Sequence, residues 1–158
     1  MNVIFTPTDI TDYNVVNKTV QINVIKANPI ITWANPADIV YGTALSATQL
    51  NATTTIPGIW AYSPAIGTVL NAGDNNLTVT FTPTDVSNYN VVSLTVIVTV
   101  TKANPVITWA NPADIIYGTP LSATQLNATT TISGTWAYSP SSGIILPAGL
   151  NQNLCAGY

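Results

Sequence analysis

Between Leu77 and Val100 apolar and polar residues alternate almost one for one. Leu77, Val79 and Phe81 alternate with Thr78, Thr80 and Thr82, and Val92, Leu94, Val96, Val98 and Val100 alternate with mostly polar neighbours. A period of two puts every second side chain on one face, so both runs read as strands with one face buried. Near the start of the chain Val16, Val20, Ile22 and Val24 keep the pattern against Asn17, Thr19, Gln21 and Asn23, with Lys18 where Leu94 stands later. This predicts a strand over Asn14 to Ile25. Shorter strands are expected at Ile30 to Ala34, Leu45 to Ala52 and Ile59 to Ser63, separated by turn signals at Asn35-Pro36, Tyr41-Gly42, Pro57-Gly58, Ser63-Pro64 and Asn71-Ala72-Gly73. Nothing reads as a helix of useful length. Short strands with turns at this spacing predict an all-β chain built as a β-sandwich.

The pattern recurs because the sequence does. Lys26 to Leu70 aligns without gaps on Lys102 to Leu146 with 36 of 45 residues identical, and Val3 to Ile25 aligns on Val79 to Thr101 with 13 of 23. The offset is 76 residues throughout. Residues 26–101 therefore form one complete unit. Residues 1–25 match only its last third, and residues 102–158 only its first two thirds, with the match decaying beyond Gly149. The two partial units are complementary, and together they would make one more domain.

In "TPTDVSNYNVV", Asp85 lies four residues before Tyr89 and the apolar Val91 two after it, the local spacing of the tyrosine corner of immunoglobulin-like sandwiches. Asp9, Tyr13 and Val15 repeat the arrangement. The stretches "KANPIITWANPADIVYGTALSATQLNATTT", "AYSPAIGTVLNAG" and "LTVTFTPTDVSNYN" together resemble the Ig-like repeats, often called MBG-type, found in tandem in large bacterial and archaeal surface and secreted proteins. The resemblance covers the chain up to Gly149. It implies Ig-like β-sandwich repeats serving as a stalk or spacer outside the cell, with no catalytic residues to carry over.

Composition narrows the function classes. Charged residues make up 6% of the chain, with three Lys, six Asp and no Arg, Glu or His, for a net charge of -3. Such a surface offers no electrostatic handle on nucleic acid or anionic lipid. A hydrophobic content of 47% excludes the composition of a disordered chain. No run approaches the ~18 unbroken apolar residues of a membrane helix, and no basic-then-apolar leader opens the chain, so neither a span nor a signal peptide is expected. Without His or Glu the usual general bases are missing, and no Ser or Cys has a basic partner to activate it. The chain is not expected to be an enzyme or to carry a cofactor.

Several side chains remain candidates for binding. Asp9 with Asp12, and Asp74 beside Asn75 and Asn76, offer hard oxygen ligands, but neither loop has the alternating carboxylates of a dedicated Ca²⁺ site, and turn chemistry accounts for both. Trp33, Trp60, Tyr41 and Tyr62 recur as Trp109, Trp136, Tyr117 and Tyr138. Large aromatics supply much of the core area in a small domain; exposed in a row they would instead stack on surface glycans, as in a carbohydrate-binding module. Sequons at Asn17, Asn51, Asn76 and Asn127 are possible glycosylation sites. The single cysteine, Cys155, falls where the complete unit has Val79 if the alignment is kept ungapped, which reads either as a small buried hydrophobe or as a link to a neighbouring subunit.

A sandwich lacking its last strands exposes an edge and an apolar face, and both attract a strand of matching pattern. The expectation is that residues 1–25 of one copy complete the sandwich begun by residues 102–158 of the next. The donor face would be Val3, Phe5, Tyr13, Val16, Val20, Ile22 and Val24, and the acceptor Trp109, Trp136, Tyr138, Ile145, Leu154 and Cys155. Such a head-to-tail contact grows a filament, a pilus-like extracellular fibre whose partners are other copies of the chain. Two readings compete with it: a fragment of a long tandem stalk or adhesin, and pairing of the two partial units within one chain.

Overall fold

A computed structural model describes residues 1–157. Their regular structure is all β, with no helix. The chain divides into two compact units, Met1–Lys102 and the residues from Ala103 onward.

The first unit holds a hairpin of β1 (Asn2–Phe5) and β2 (Val16–Thr19), and a separate four-stranded sheet. The sheet contains β3 (Ile39–Val40), β4 (Gly58–Ser63), β5 (Gly73–Pro83) and β6 (Val92–Thr101) in the order β3-β6-β5-β4. The long alternating runs lie at its centre. Leu77, Val79 and Phe81 of β5 and Val96, Val98 and Val100 of β6 are buried, while Thr78 pairs its hydroxyl with Thr95 at 2.9 Å and Thr80 with Ser93 at 3.0 Å on the other face. Facing the buried side lie Trp33, Leu45, Leu50, Ala52 and Leu70, on segments held by the bridges Thr32–Thr53 and Ala44–Val69. This layering around one apolar core is consistent with a β-sandwich.

Three strand expectations change. Leu45 to Ala52 is a turn rather than a strand. Gln49 Oε1 accepts from the Ser46 amide and hydroxyl, the Ser46 hydroxyl accepts from the Thr48 amide, and the Gln49 and Leu50 amides donate to the Ser46 carbonyl. These local bonds compete with a ladder and curl the chain, so that Leu45 and Leu50 both reach the core. Ile30 to Ala34 makes only the Thr32–Thr53 bridge. In the predicted strand over Asn14 to Ile25, only Val16–Thr19 is regular, with reciprocal bonds between Met1 and Val20 beyond it, because β1 supplies no partner opposite residues 21–25.

The second unit carries β7 (Ala137–Ser139) paired with β8 (Cys155–Gly157). Bridges Thr108–Thr129 and Pro120–Ile145 copy those of the first unit one repeat later. Ile115 and Ile116, the counterparts of β3, form no strand. In the first unit β3 pairs in parallel with the end of β6, and among the described residues of the second unit no strand pairs with Ile115 or Ile116.

The ungapped placing of Cys155 is also corrected. β8 pairs Ser139 with Cys155 and Tyr138 with Ala156, whereas β4 and β5 pair Ser63 with Thr78 and Tyr62 with Val79. Cys155 therefore takes the place of Thr78 and is exposed, and Ala156 takes the inward place of Val79. One extra residue has entered the preceding loop, where Asn151 adopts a left-handed φ of 57°.

Candidate functional site

The hairpin reproduces one third of the complete domain in register. Asn2 faces Thr19, Val3 faces Lys18, Ile4 faces Asn17 and Phe5 faces Val16, as Thr78 faces Thr95, Val79 faces Leu94, Thr80 faces Ser93 and Phe81 faces Val92. Their surroundings differ. Phe81 is fully buried, with its ring 4.5 Å from that of Trp60, and a Cβ placed on Gly58 would come within 2.5 Å of its Cζ. Phe5 is 63% exposed and lines a shallow concavity of about 590 Å³ with Pro7, Asp9, Tyr13 and Val16. Glycine and tryptophan of β4 cover the corresponding residues in the complete domain.

The other residues expected on the donor face are also exposed. Val98 is wholly buried, while its counterpart Ile22 is 80% exposed, and Val100 is buried while Val24 is 91% exposed. Lys18 is exposed in the position where Leu94 packs against the core.

The second unit contains a groove. Trp109, Ile115, Leu121, Gln125, Leu146 and Leu154 are among the residues lining a cleft of about 860 Å³. Their counterparts Trp33, Ile39, Leu45 and Leu70 contact the core to which β6 contributes Val96, Val98 and Val100. The groove is thus lined in part by the counterparts of residues that share a core with β6 in the first unit. Its walls are preformed: Trp109 Nε1 donates to the Gln125 carbonyl at 2.9 Å, and the Tyr138 hydroxyl accepts from the Ala128 amide at 3.1 Å. The same bonds in the complete domain, Trp33 to Gln49 and Ala52 to Tyr62, are both 3.0 Å. Of the acceptor residues expected from the sequence, Trp109, Trp136, Tyr138 and Leu154 are half-buried, Ile145 is exposed at its bridge, and Cys155 faces away.

Trp33 sits edge-on to Tyr62, 5.5 Å between ring centres, and Trp60 packs on Phe81, so three of these aromatics join the core instead of forming an exposed row. Tyr41 and Tyr117 are exposed. At the corner, Asp85 Oδ1 accepts from the Ser87 and Asn88 amides and Oδ2 from the Asn88 side chain at 2.7 Å, and it is the Tyr89 backbone amide that donates to the Asp85 carbonyl. The Asn88 side chain above all, then the amides and the charge of Lys26, hold the Asp85 carboxyl below its ordinary range. Asp9 caps its own turn through the Thr11 and Asp12 amides.

No group of three or more His, Cys, Asp or Glu able to hold a metal occurs among the described residues. The Asp74 carboxylate accepts from the Thr99 hydroxyl at 2.8 Å. The sequon residues Asn17, Asn51, Asn76 and Asn127 are all exposed, with the Asn51 and Asn127 side-chain amides donating to the Thr48 and Thr124 carbonyls. No helix of the described residues is long and apolar enough to cross a membrane.

Sequence reasoning missed the Ser46–Gln49 and Ser122–Gln125 turns that carry Leu45 and Leu121 inward. The signal was present: Ser-x-x-Gln is the capping-box pattern, of which these turns form one half, the Gln side chain accepting from the Ser amide while the Ser hydroxyl accepts from the amide two residues on.

Comparison with protein-family models, with curated proteins and with solved structures finds no match.

Proposed function

We propose that this chain is a structural, Ig-like module that joins end to end with further copies of itself. The β1–β2 hairpin of one copy, with residues 20–25 that follow it, fills the open sandwich of residues 102–157 in the next. One observation carries this reading: β1 and β2 keep the register of β5 and β6, while counterparts of the residues that pack with β6 line an open cleft in the second unit. Main-chain bonds along the added strands would supply affinity, and the alternation of Val16, Val20, Ile22 and Val24 would fix register. Donor and acceptor are different surfaces, so the contact propagates into a filament.

The product has a mechanical role, as spacer, stalk or fibre. Its resemblance to MBG-type repeats, its sequons and its nearly uncharged surface favour a position outside the cell. The near-identical 76-residue spacing also favours a second reading, in which complementary units are joined covalently within a longer tandem stalk.

Light scattering of the full chain over a hundredfold range of concentration separates the two. Growth to elongated species is expected for strand addition. A mass fixed near 16.6 kDa at every concentration would overturn it.

A further inference from the structure

We propose that β8 is a placeholder, holding the edge of β7 that β1 of a second copy occupies in the completed sandwich, so that assembly is a strand displacement. This rests on the strand-addition reading above. The two strands would collide. Seated at the repeat offset, β1 would pair Asn2 with Ser139, Val3 with Tyr138, Ile4 with Ala137 and Phe5 with Trp136, as β5 pairs Thr78, Val79, Thr80 and Phe81 with Ser63, Tyr62, Ala61 and Trp60. β8 already holds three of those places, with Cys155 on Ser139, Ala156 on Tyr138 and Gly157 on Ala137. One edge cannot bond both strands.

At two of these three places the incumbent offers the smaller side chain. Its inward residue is Ala156 where the incoming strand brings Val3, and Gly157 stands where it brings Ile4. Glycine weakens a strand, and a smaller inward side chain covers less of Tyr138.

Trp136 also has a second seat. It stacks on Tyr138, with 6.2 Å between ring centres and 21° between planes, whereas Trp60 packs on Phe81 at 4.5 Å and 44°. Displacement brings Phe5 to Trp136 and lays Val20, Ile22 and Val24 in the groove beside it. β8 thereby guards the acceptor edge of a free chain without blocking the groove next to it.

The test locks β8 in place. Ser139 and Cys155 are directly opposed, so Ser139→Cys places two thiols on neighbouring strands within bridging reach. Oxidised S139C is expected to lose assembly, and reduction is expected to restore wild-type growth, with wild-type chain in the same oxidant as control for links between Cys155 residues. Deleting residues 155–158 is expected to speed assembly about tenfold. Oxidised S139C that assembles like the reduced chain, a deletion that slows assembly, or failure of the thiols to link would overturn displacement and leave strand addition standing. Absence of assembly in the wild type would overturn both.

Discussion

Residues 26–70 and 102–146 are almost the same sequence in two settings, one with β6 beside it and one without. Their local geometry is alike. The Trp-to-carbonyl bond, the Ser-x-x-Gln turn and the tyrosine hydroxyl bond recur within 0.1 Å, and Leu45 and Leu121 are equally buried. The differences are fewer and specific: Trp33 is buried and Trp109 half-buried, Leu70 is buried and Leu146 half-buried, and Ile39–Val40 is a strand where Ile115–Ile116 is not. Local bonds are written into each segment, whereas the closed core is a property of the pair. Surface burial is non-local, and a segment can be correctly shaped for a partner it lacks.

Truncating the same phenylalanine in the two settings should have the most unequal effects. Phe81→Ala should cost about 3–5 kcal/mol, because a fully buried ring leaves a cavity against Trp60. Phe5→Ala should change the stability of the dilute chain by less than about 0.5 kcal/mol, as for a surface substitution, yet abolish assembly at concentrations where the wild type grows. Urea unfolding followed by tryptophan fluorescence, beside light scattering, measures both. Equal stability losses at the two positions would mean that the hairpin is already covered in the free chain.

Gly58→Ala probes the seat from the other side. Its Cβ would meet Phe81 Cζ and the Thr82 carbonyl, both at 2.5 Å, and backbone cannot yield as a flexible side chain can. A loss of about 1–3 kcal/mol in the urea experiment is expected. A neutral result would show that β4 stands farther from β5 than this packing requires.

Lys18→Leu makes the hairpin more like β6. Leu94 packs against the core at this position, while a lysine buried there would lose hydration of its ammonium group. Assembly should tighten about tenfold, roughly 1.4 kcal/mol, with the stability of the dilute chain nearly unchanged. Sedimentation across a concentration series reads the shift. Weaker assembly would indicate that Lys18 reaches solvent at the edge and contributes through its stem.

The two long strands were legible because each alternates over many residues against a partner in the same chain. The repeat made the hairpin's identity legible as well, down to Phe5 as the counterpart of Phe81. The expected strand at Leu45 to Ala52 failed because Leu45, Leu50 and Ala52 are apolar at spacings that a turn also presents, and Ser46 and Gln49 decide between them through side-chain bonds. β3 escaped notice for a different reason: two residues have no period, and only the end of β6 makes them a strand. Cys155 was misplaced by one position because an ungapped alignment cannot detect a single added loop residue, and one residue turns a strand side chain to the opposite face.

The smallest expected effect separates the two corner loops. Asp85 has the Asn88 side chain as a donor, whereas in the hairpin Asp12 stands in that position and offers only its amide to Asp9. Because the folded chain holds the Asp85 carboxyl below its ordinary range, its contribution to stability is complete above the unfolded value and disappears as pH falls through the lower, folded one. Acidification through that window should therefore lower the urea midpoint of the complete domain. Asp85→Asn keeps an oxygen for the Ser87 and Asn88 amides but cannot titrate, so the drop on acidification should shrink. A drop of the same size in wild type and D85N would assign the acid sensitivity to the other five aspartates and leave the corner with a purely geometric role.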